Sequence, residues 1–277
     1  MDISWLSMIS MGVVGAFFAL VLAYASNVFA VDTDPRAEAI EEILPGANCG
    51  ACGFSGCSGF AEGVVTGKAE VSGCPVGGAN VANAIAEVMG IAAPADVKRK
   101  VAQLLCAGDC EQAKNRAEYN GVADCRAALL AGGGVKMCTY GCLGFGSCAV
   151  ACPFGAISMD EKDLPVVDED LCTGCGICVE ACPRDLFQLV EEQQGVHIRC
   201  RSFARGKEVR QACAVGCIGC RRCARECPEE AIEMVDNLAV INYEKCTNCG
   251  ACVAVCPTNT IHWQKDKPEV EKLVAVG

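Results

Sequence analysis

Cys172-Thr-Gly-Cys175-Gly-Ile-Cys178-Val-Glu-Ala-Cys182-Pro183 reads C-x2-C-x2-C-x3-C-P. Three thiolates at two-residue gaps can wrap one corner of an iron–sulfur cube. The fourth, three residues on, is directed away and serves the neighbouring cube of a pair. Glycines between the thiols let backbone pass close to inorganic sulfur, and Pro183 fixes φ where the loop ends. Zinc is the competing reading, but a zinc ribbon needs ligand pairs separated by a longer loop.

The rest of the chain supports clusters over cross-links. It has 277 residues and 25 cysteines, grouped in C-x2-C runs that favour metal over the scattered spacing of disulfide frameworks. Two histidines, His197 and His262, are too few for mixed Cys/His centres, and no C-x-x-C-H offers a haem attachment site. Aromatics make up 5% of the residues, so metal–thiolate bonds are expected to replace part of a conventional core. The formal net charge is −11, before any cluster charge is added, which argues against a nucleic-acid partner. No dinucleotide or phosphate-binding glycine motif stands in a βαβ context, so no catalytic nucleotide site is expected and no catalytic residue is assigned.

Residues 3–31 carry no charged side chain. The run is long enough to cross a bilayer as one helix, with Trp5 and Tyr24 at the interfaces. A cleaved signal peptide is the alternative; the lack of a basic leader and the length of the run favour a retained anchor. Residues 32–91 form a small cluster domain. A helix is expected from Pro35 to Leu44, then Cys49, Cys52, Cys57 and Cys74 at C-x2-C-x4-C-x16-C spacing, then a helix from Ala79 to Met89. Residues 92–137 read as a connecting region, with Cys106, Cys110 and Cys125 outside any motif.

From residue 138 the chain is a duplication. Cys142, Cys148 and Cys152 recur as Cys217, Cys223 and Cys227, each 75 positions later, as Cys125 and Cys138 recur at Cys200 and Cys213; Cys175, Cys178 and Cys182 recur as Cys249, Cys252 and Cys256, each 74 later. Each copy is a two-cluster ferredoxin unit of the bacterial type, the first at 138–190 and the second at 191–277. Short strands are expected at 157–159, 166–168, 232–235 and 239–241. The predicted fold is therefore α+β: a transmembrane helix (1–31), a small 4Fe-4S domain and two tandem ferredoxin units.

The cross-over rule assigns most thiolates. Cys217, Cys220, Cys223 and Cys256 hold one cube; Cys246, Cys249, Cys252 and Cys227 hold another; Cys172, Cys175, Cys178 and Cys152 hold a third. The remaining site is irregular, because Phe145 stands where the second unit has Cys220. Two assignments are open. In the preferred one, Cys138 joins Cys142, Cys148 and Cys182, giving five [4Fe-4S] clusters in all. In the other, Cys138 joins Cys125, Cys200 and Cys213 in a further site between the units.

The anchor, the Cys49–Cys74 domain, Asp124-Cys125, Cys138-Thr-Tyr-Gly-Cys142 and Val215-Gly-Cys217-Ile-Gly-Cys220, in this order, resemble the B subunit of Rnf complexes, in the long form with two ferredoxin units. These are membrane-bound ferredoxin:NAD+ oxidoreductases that couple electron transfer to sodium or proton translocation. The resemblance implies an electron-relay subunit that accepts electrons from soluble ferredoxin and passes them to neighbouring subunits, which would hold the flavins, the NAD+ site and the ion path. The iron–sulfur subunit of another membrane oxidoreductase, such as a hydrogenase or dehydrogenase, is the alternative. Location at the cytoplasmic (inner) membrane follows, with the C-terminal bulk on the cytoplasmic side, where thiols stay reduced. Arg199, Arg201, Arg205, Lys207, Arg210, Arg221, Arg222 and Arg225 are candidates for a ferredoxin-docking patch, or else for a solvated face or contacts to a partner subunit.

Overall fold

A computed structural model describes residues 3–28, 34–94 and 97–263. The first helix, α1 (Ile3–Val28), has 26 residues. At 1.5 Å per residue it reaches roughly 39 Å, beyond the ~30 Å hydrocarbon thickness of a bilayer. Its apolar side chains face outward: Met11 is 79% and Leu20 72% exposed. Within it, Met8–Ser26 is apolar enough to cross a membrane, and none of that window is buried against protein.

The next domain comprises α2 (Pro35–Ile43), α3 (Cys57–Val65) and α4 (Gly78–Met89). Helix α2 starts where Asp34 accepts from the Arg36 N–H at 2.9 Å and Pro35 occupies the first turn. The Arg36 guanidinium pairs with the same carboxylate at 2.7 Å and holds it down at about pKa 2. Helix α4 ends on Gly90 in the left-handed region, φ 66°. Ile40, Phe60 and Ile85 are at most 1% exposed and form the domain core; each contributes about 1.5–3 kcal/mol of apolar burial.

The remaining elements are β1 (Lys100–Leu104), α5 (Cys125–Leu130), α6 (Ser147–Ala151), β2 (Ile157–Met159), β3 (Pro165–Val167), α7 (Ile177–Ala181), β4 (Phe187–Glu191), β5 (Val196–Ile198), α8 (Gly206–Ala212), α9 (Arg222–Glu226), β6 (Ile232–Val235), β7 (Leu238–Ile241), α10 (Ala251–Ala254) and β8 (Ile261–Trp263). They build two copies of one plan. In each, an inner hairpin (β2–β3 or β6–β7) and an outer antiparallel pair (β1–β4 or β5–β8) flank two short helices. The inner hairpins match the expected strands to within one residue. The outer pairs close at a distance in sequence, Leu104 opposite Phe187 and Ile198 opposite Ile261. Thus the first unit takes its outer strand from residues 100–104, inside the segment that sequence alone leaves as a connection.

Two-stranded ribbons are marginal by themselves. These are held by cores in which thiols are members: Val101, Leu104, Leu186 and Phe187 pack with Cys142, Cys148, Cys172 and Cys178 in the first unit, and Val196, Ile232 and Ile261 with Cys223 and Cys252 in the second. The cluster loop also fits tightly against the outer strand. Gly174 has φ +67°, and a Cβ there would run into the backbone carbonyl of Lys100. Glycine alone allows both the conformation and the approach.

The segment between β1 and α6 ties the units together. Lys114 N–H donates to Ala212 at 2.9 Å, Ala214 N–H to Gln112 at 2.9 Å, and Ala107 N–H to Arg199 at 3.0 Å. Tyr243 adds a side-chain tie: its hydroxyl accepts from Gln188 of β4 at 3.1 Å and meets His197 Nδ1 of β5 at 2.9 Å.

Candidate metal centres

Each cluster loop turns through a left-handed residue just before a short helix: Gly146, Gly176, Arg221 and Gly250 have φ between 61° and 82°. That turn carries the thiols before it and the thiol on the helix's first turn toward one point. Where they converge they line cavities. Cys49, Cys52, Cys57 and Cys74 surround one, with Asn48 Oδ1 accepting from the Cys57 N–H at 2.8 Å to hold the loop. Cys217, Cys220, Cys223 and Cys256 surround a second. Cys178 lies close enough to Cys152, Cys172 and Cys175 to feel their charge, and Cys252 likewise to Cys246 and Cys249. Cys227 ends α9 with its sulfur accepting from the Ala231 N–H at 3.3 Å.

The irregular site departs from the preferred assignment. Cys142, Cys148 and Cys182 share their cavity with Cys125, not with Cys138. Cys125 opens α5, whose cap Asp124 accepts from the Ala127 N–H at 2.8 Å. The other Asp124 oxygen accepts from Ser147 Oγ at 2.8 Å, and Ser147 Oγ accepts from the Cys125 N–H at 2.8 Å. This three-part link pins Cys125 beside Cys148 on α6. Phe145, in place of the missing middle thiol, packs edge-on against Tyr119 at 5.3 Å between centroids. The segment between β1 and α6 therefore supplies both the ring packed against Phe145 and a thiol at the site that lacks one.

Cys138 faces a different cavity, with Cys106, Cys200 and Cys213. The repeat pairing of Cys125 with Cys200 is also replaced. Cys106 stands two residues beyond Leu104, the end of β1, and Cys200 two beyond Ile198, the end of β5; both strands pair with the last strand of their own unit. Cys106 is the structural counterpart of Cys200. An insertion within the first unit, between β1 and α6, hid this, because a fixed sequence offset cannot cross it. Sequence reasoning left Cys106 without a role, and its one local signal was the shared end-of-strand context. Cys110 is exposed and lines none of these cages.

Burial pushes the free thiols up: Cys142, Cys178 and Cys200 to about 12, and Cys148, Cys223 and Cys252 to about 11. Without metal these groups are neutral at physiological pH. Iron reverses that and releases protons as it binds. Among the described residues no three Cys, His, Asp or Glu side chains converge on a point suited to a single ion. The donors lining these cavities are sulfur, with no imidazole among them, the donor set of an all-cysteine cluster. Several sulfurs also accept backbone N–H groups, from Ala102 to Cys172 at 3.4 Å and from Thr260 to Cys256 at 3.3 Å, contacts that tune cluster potentials.

Comparison with known proteins adds three family matches: an Fe-S cluster family over residues 44–76 and 4Fe-4S dicluster domains over 137–189 and 216–260. The chain is 51% identical over 251 residues to the B subunit of the Na(+)-translocating ferredoxin:NAD(+) oxidoreductase complex of Acetobacterium woodii, covering 91% of this chain and 75% of the relative. It is 43% identical to the B subunit of the ion-translocating oxidoreductase complex of Methanosarcina acetivorans, over 89% of this chain and 93% of the relative. It is 44% identical to the B subunit of the proton-translocating ferredoxin:NAD(+) oxidoreductase complex of Clostridium ljungdahlii, over 92% and 90%.

Proposed function

The chain belongs to the family of B subunits of Rnf ion-translocating oxidoreductase complexes, and on that premise we propose that it takes electrons from reduced soluble ferredoxin and passes them toward NAD+ through flavin- and NADH-binding partner proteins of the complex. It is an iron–sulfur electron-transfer protein of a multi-subunit complex, associated with the membrane. When bound, [4Fe-4S] cubes supply one-electron sites; the chain supplies thiolates, burial and hydrogen bonds to sulfur. Five cages are proposed: Cys49, Cys52, Cys57 and Cys74; Cys152, Cys172, Cys175 and Cys178; Cys125, Cys142, Cys148 and Cys182; Cys217, Cys220, Cys223 and Cys256; and Cys227, Cys246, Cys249 and Cys252. Helix α1 crosses the membrane once, with the cages on the cytoplasmic side.

The observation that carries this reading is the adjacency of neighbouring cages. Cys175 lies within electrostatic range of Cys49, Cys178 of Cys148, and Cys252 of Cys223. Thiol sets serving only to staple separate folds have no reason to adjoin. Iron analysis of the purified complex is the test. At least about twenty irons belonging to this chain are expected, four per cube, with a brown colour that reduced ferredoxin bleaches. A colourless, zinc-rich chain refutes the relay.

For ferredoxin docking, Arg221, Arg222 and Arg225 are exposed around the exposed thiol of Cys220. Arg199 does not belong to this patch, since it is partly buried in the seam between the units. Charge reversal at Arg221 and Arg222 is expected to slow ferredoxin oxidation at low salt by roughly tenfold or more and to flatten its salt dependence. An unchanged rate and salt dependence assign those arginines to solvent or to another protein of the complex.

A further inference from the structure

We propose that Cys106, Cys138, Cys200 and Cys213 bind a sixth iron–sulfur cluster, set in the seam between the two ferredoxin units. The proposal deepens the relay reading above and rests on it. The four thiols line one cavity of about 260 Å3; on the same measure a single water needs ~10–15 Å3. They arrive from four separate segments. Cys106 follows β1, Cys138 precedes the first cluster loop, Cys200 follows β5 and Cys213 ends α8. No spacing motif announces such a set, and both 4Fe-4S dicluster matches leave at least three of the four outside their bounds.

Charge supplies an independent argument. Lys136 is only 4% exposed, and its ammonium donates to the Gly108 carbonyl at 2.6 Å. Among the described residues no carboxylate lies within ion-pairing distance of it. A buried cation held by one carbonyl is costly unless an anion stands nearby. Lys136 lies within electrostatic range of Cys213 and Cys142, and Arg199 within range of Cys106 and Asp160. Four thiolates around a cluster, which carry net negative charge, supply the counter-charge that Lys136 lacks.

Position gives the site its role. On one side the Cys142 N–H donates to Cys106 Sγ at 3.4 Å, so the cavity adjoins the Cys125–Cys142–Cys148–Cys182 cage. On the other, Cys200 lies within range of Cys217 of the second unit. This cluster is the link between the first unit's cages and the second's. With it, every cysteine except the exposed Cys110 has a place in a four-thiol cage.

The test is iron and acid-labile sulfide per chain in the full-length protein, with Mössbauer quantitation of the cluster iron. Six cubes give about twenty-four irons. The Cys200→Ala/Cys213→Ala double variant is expected to lose about four of them, and Cys110→Ala none. About twenty irons in the unaltered protein overturns the sixth site while leaving the relay reading intact, and so does one zinc beside about twenty irons. A content far below twenty overturns the relay reading itself. The unaltered protein decides the matter even where the double variant does not fold.

Discussion

Replacing Cys125 with alanine is expected to remove about four irons from the chain and to cut electron transfer through the complex by at least about tenfold, within the range that perturbing a cluster's surroundings costs. Cys125 is one of four thiols around the Cys142–Cys148–Cys182 cavity. That cage adjoins the Cys172 cage, through Cys148 and Cys178, and on the proposed relay the two are expected to conduct in series. The Ser147→Ala variant separates ligation from positioning. It keeps the thiol but removes the hydroxyl that joins the Cys125 N–H to Asp124. Iron content should fall little in that variant, while the midpoint potential of one cluster shifts and that cluster becomes the first lost to a chelator. Should Cys125→Ala keep its full iron and its spectra while Cys138→Ala loses the signal of the irregular site, the cavity assignment is wrong and Cys138 is the ligand.

Deleting residues 1–33 is expected to move the chain from the membrane fraction almost entirely to the soluble fraction with its iron unchanged. Within α1 none of Met8–Ser26 is buried against the described protein, so its loss is expected to open no cavity. The Cys49–Cys74 domain keeps its own core of Ile40, Phe60 and Ile85. A transmembrane helix anchors in an effectively irreversible way, which makes the change close to all-or-none for the chain expressed alone. Sedimentation with vesicles before and after deletion measures it. A truncated chain that still binds vesicles places the membrane affinity elsewhere, and one that loses its clusters gives α1 a structural role.

Local sequence carried much of this protein because cluster ligation is local. Cys172 to Cys182 announces three thiols that converge on one volume and a fourth that leaves, since two-residue spacing around left-handed turns such as Gly176 dictates that geometry. The same logic reads Cys49 to Cys57 and Cys246 to Cys252. The inner hairpins were legible too, at 157–159 and 232–235, because their strands are joined by short turns. The apolar length of α1 needed no tertiary information at all.

What adjoins across the chain was not legible. The outer strands β1 and β5 pair with partners more than sixty residues away. No periodicity in five or three residues names such a partner. The inserted segment between β1 and α6 breaks the repeat offset, so arithmetic coupled Cys125 with Cys200; it coupled Cys138 with Cys213 as the cavity does, whereas completing a ferredoxin-like set drew Cys138 to Cys142 instead. Tertiary packing reassigns them: the Asp124–Ser147 link holds Cys125 at the irregular site, and the ends of two outer strands bring Cys106 and Cys200 to one cavity with Cys138 and Cys213. The sequence by itself determined the iron–sulfur chemistry, the helix long and apolar enough to cross a membrane, and the motif spacing from which the cages are proposed, because geometry within a dozen residues is set by the local backbone. Only the tertiary structure decided which isolated thiols share a cavity, because that depends on strand pairing and burial between segments the chain keeps far apart.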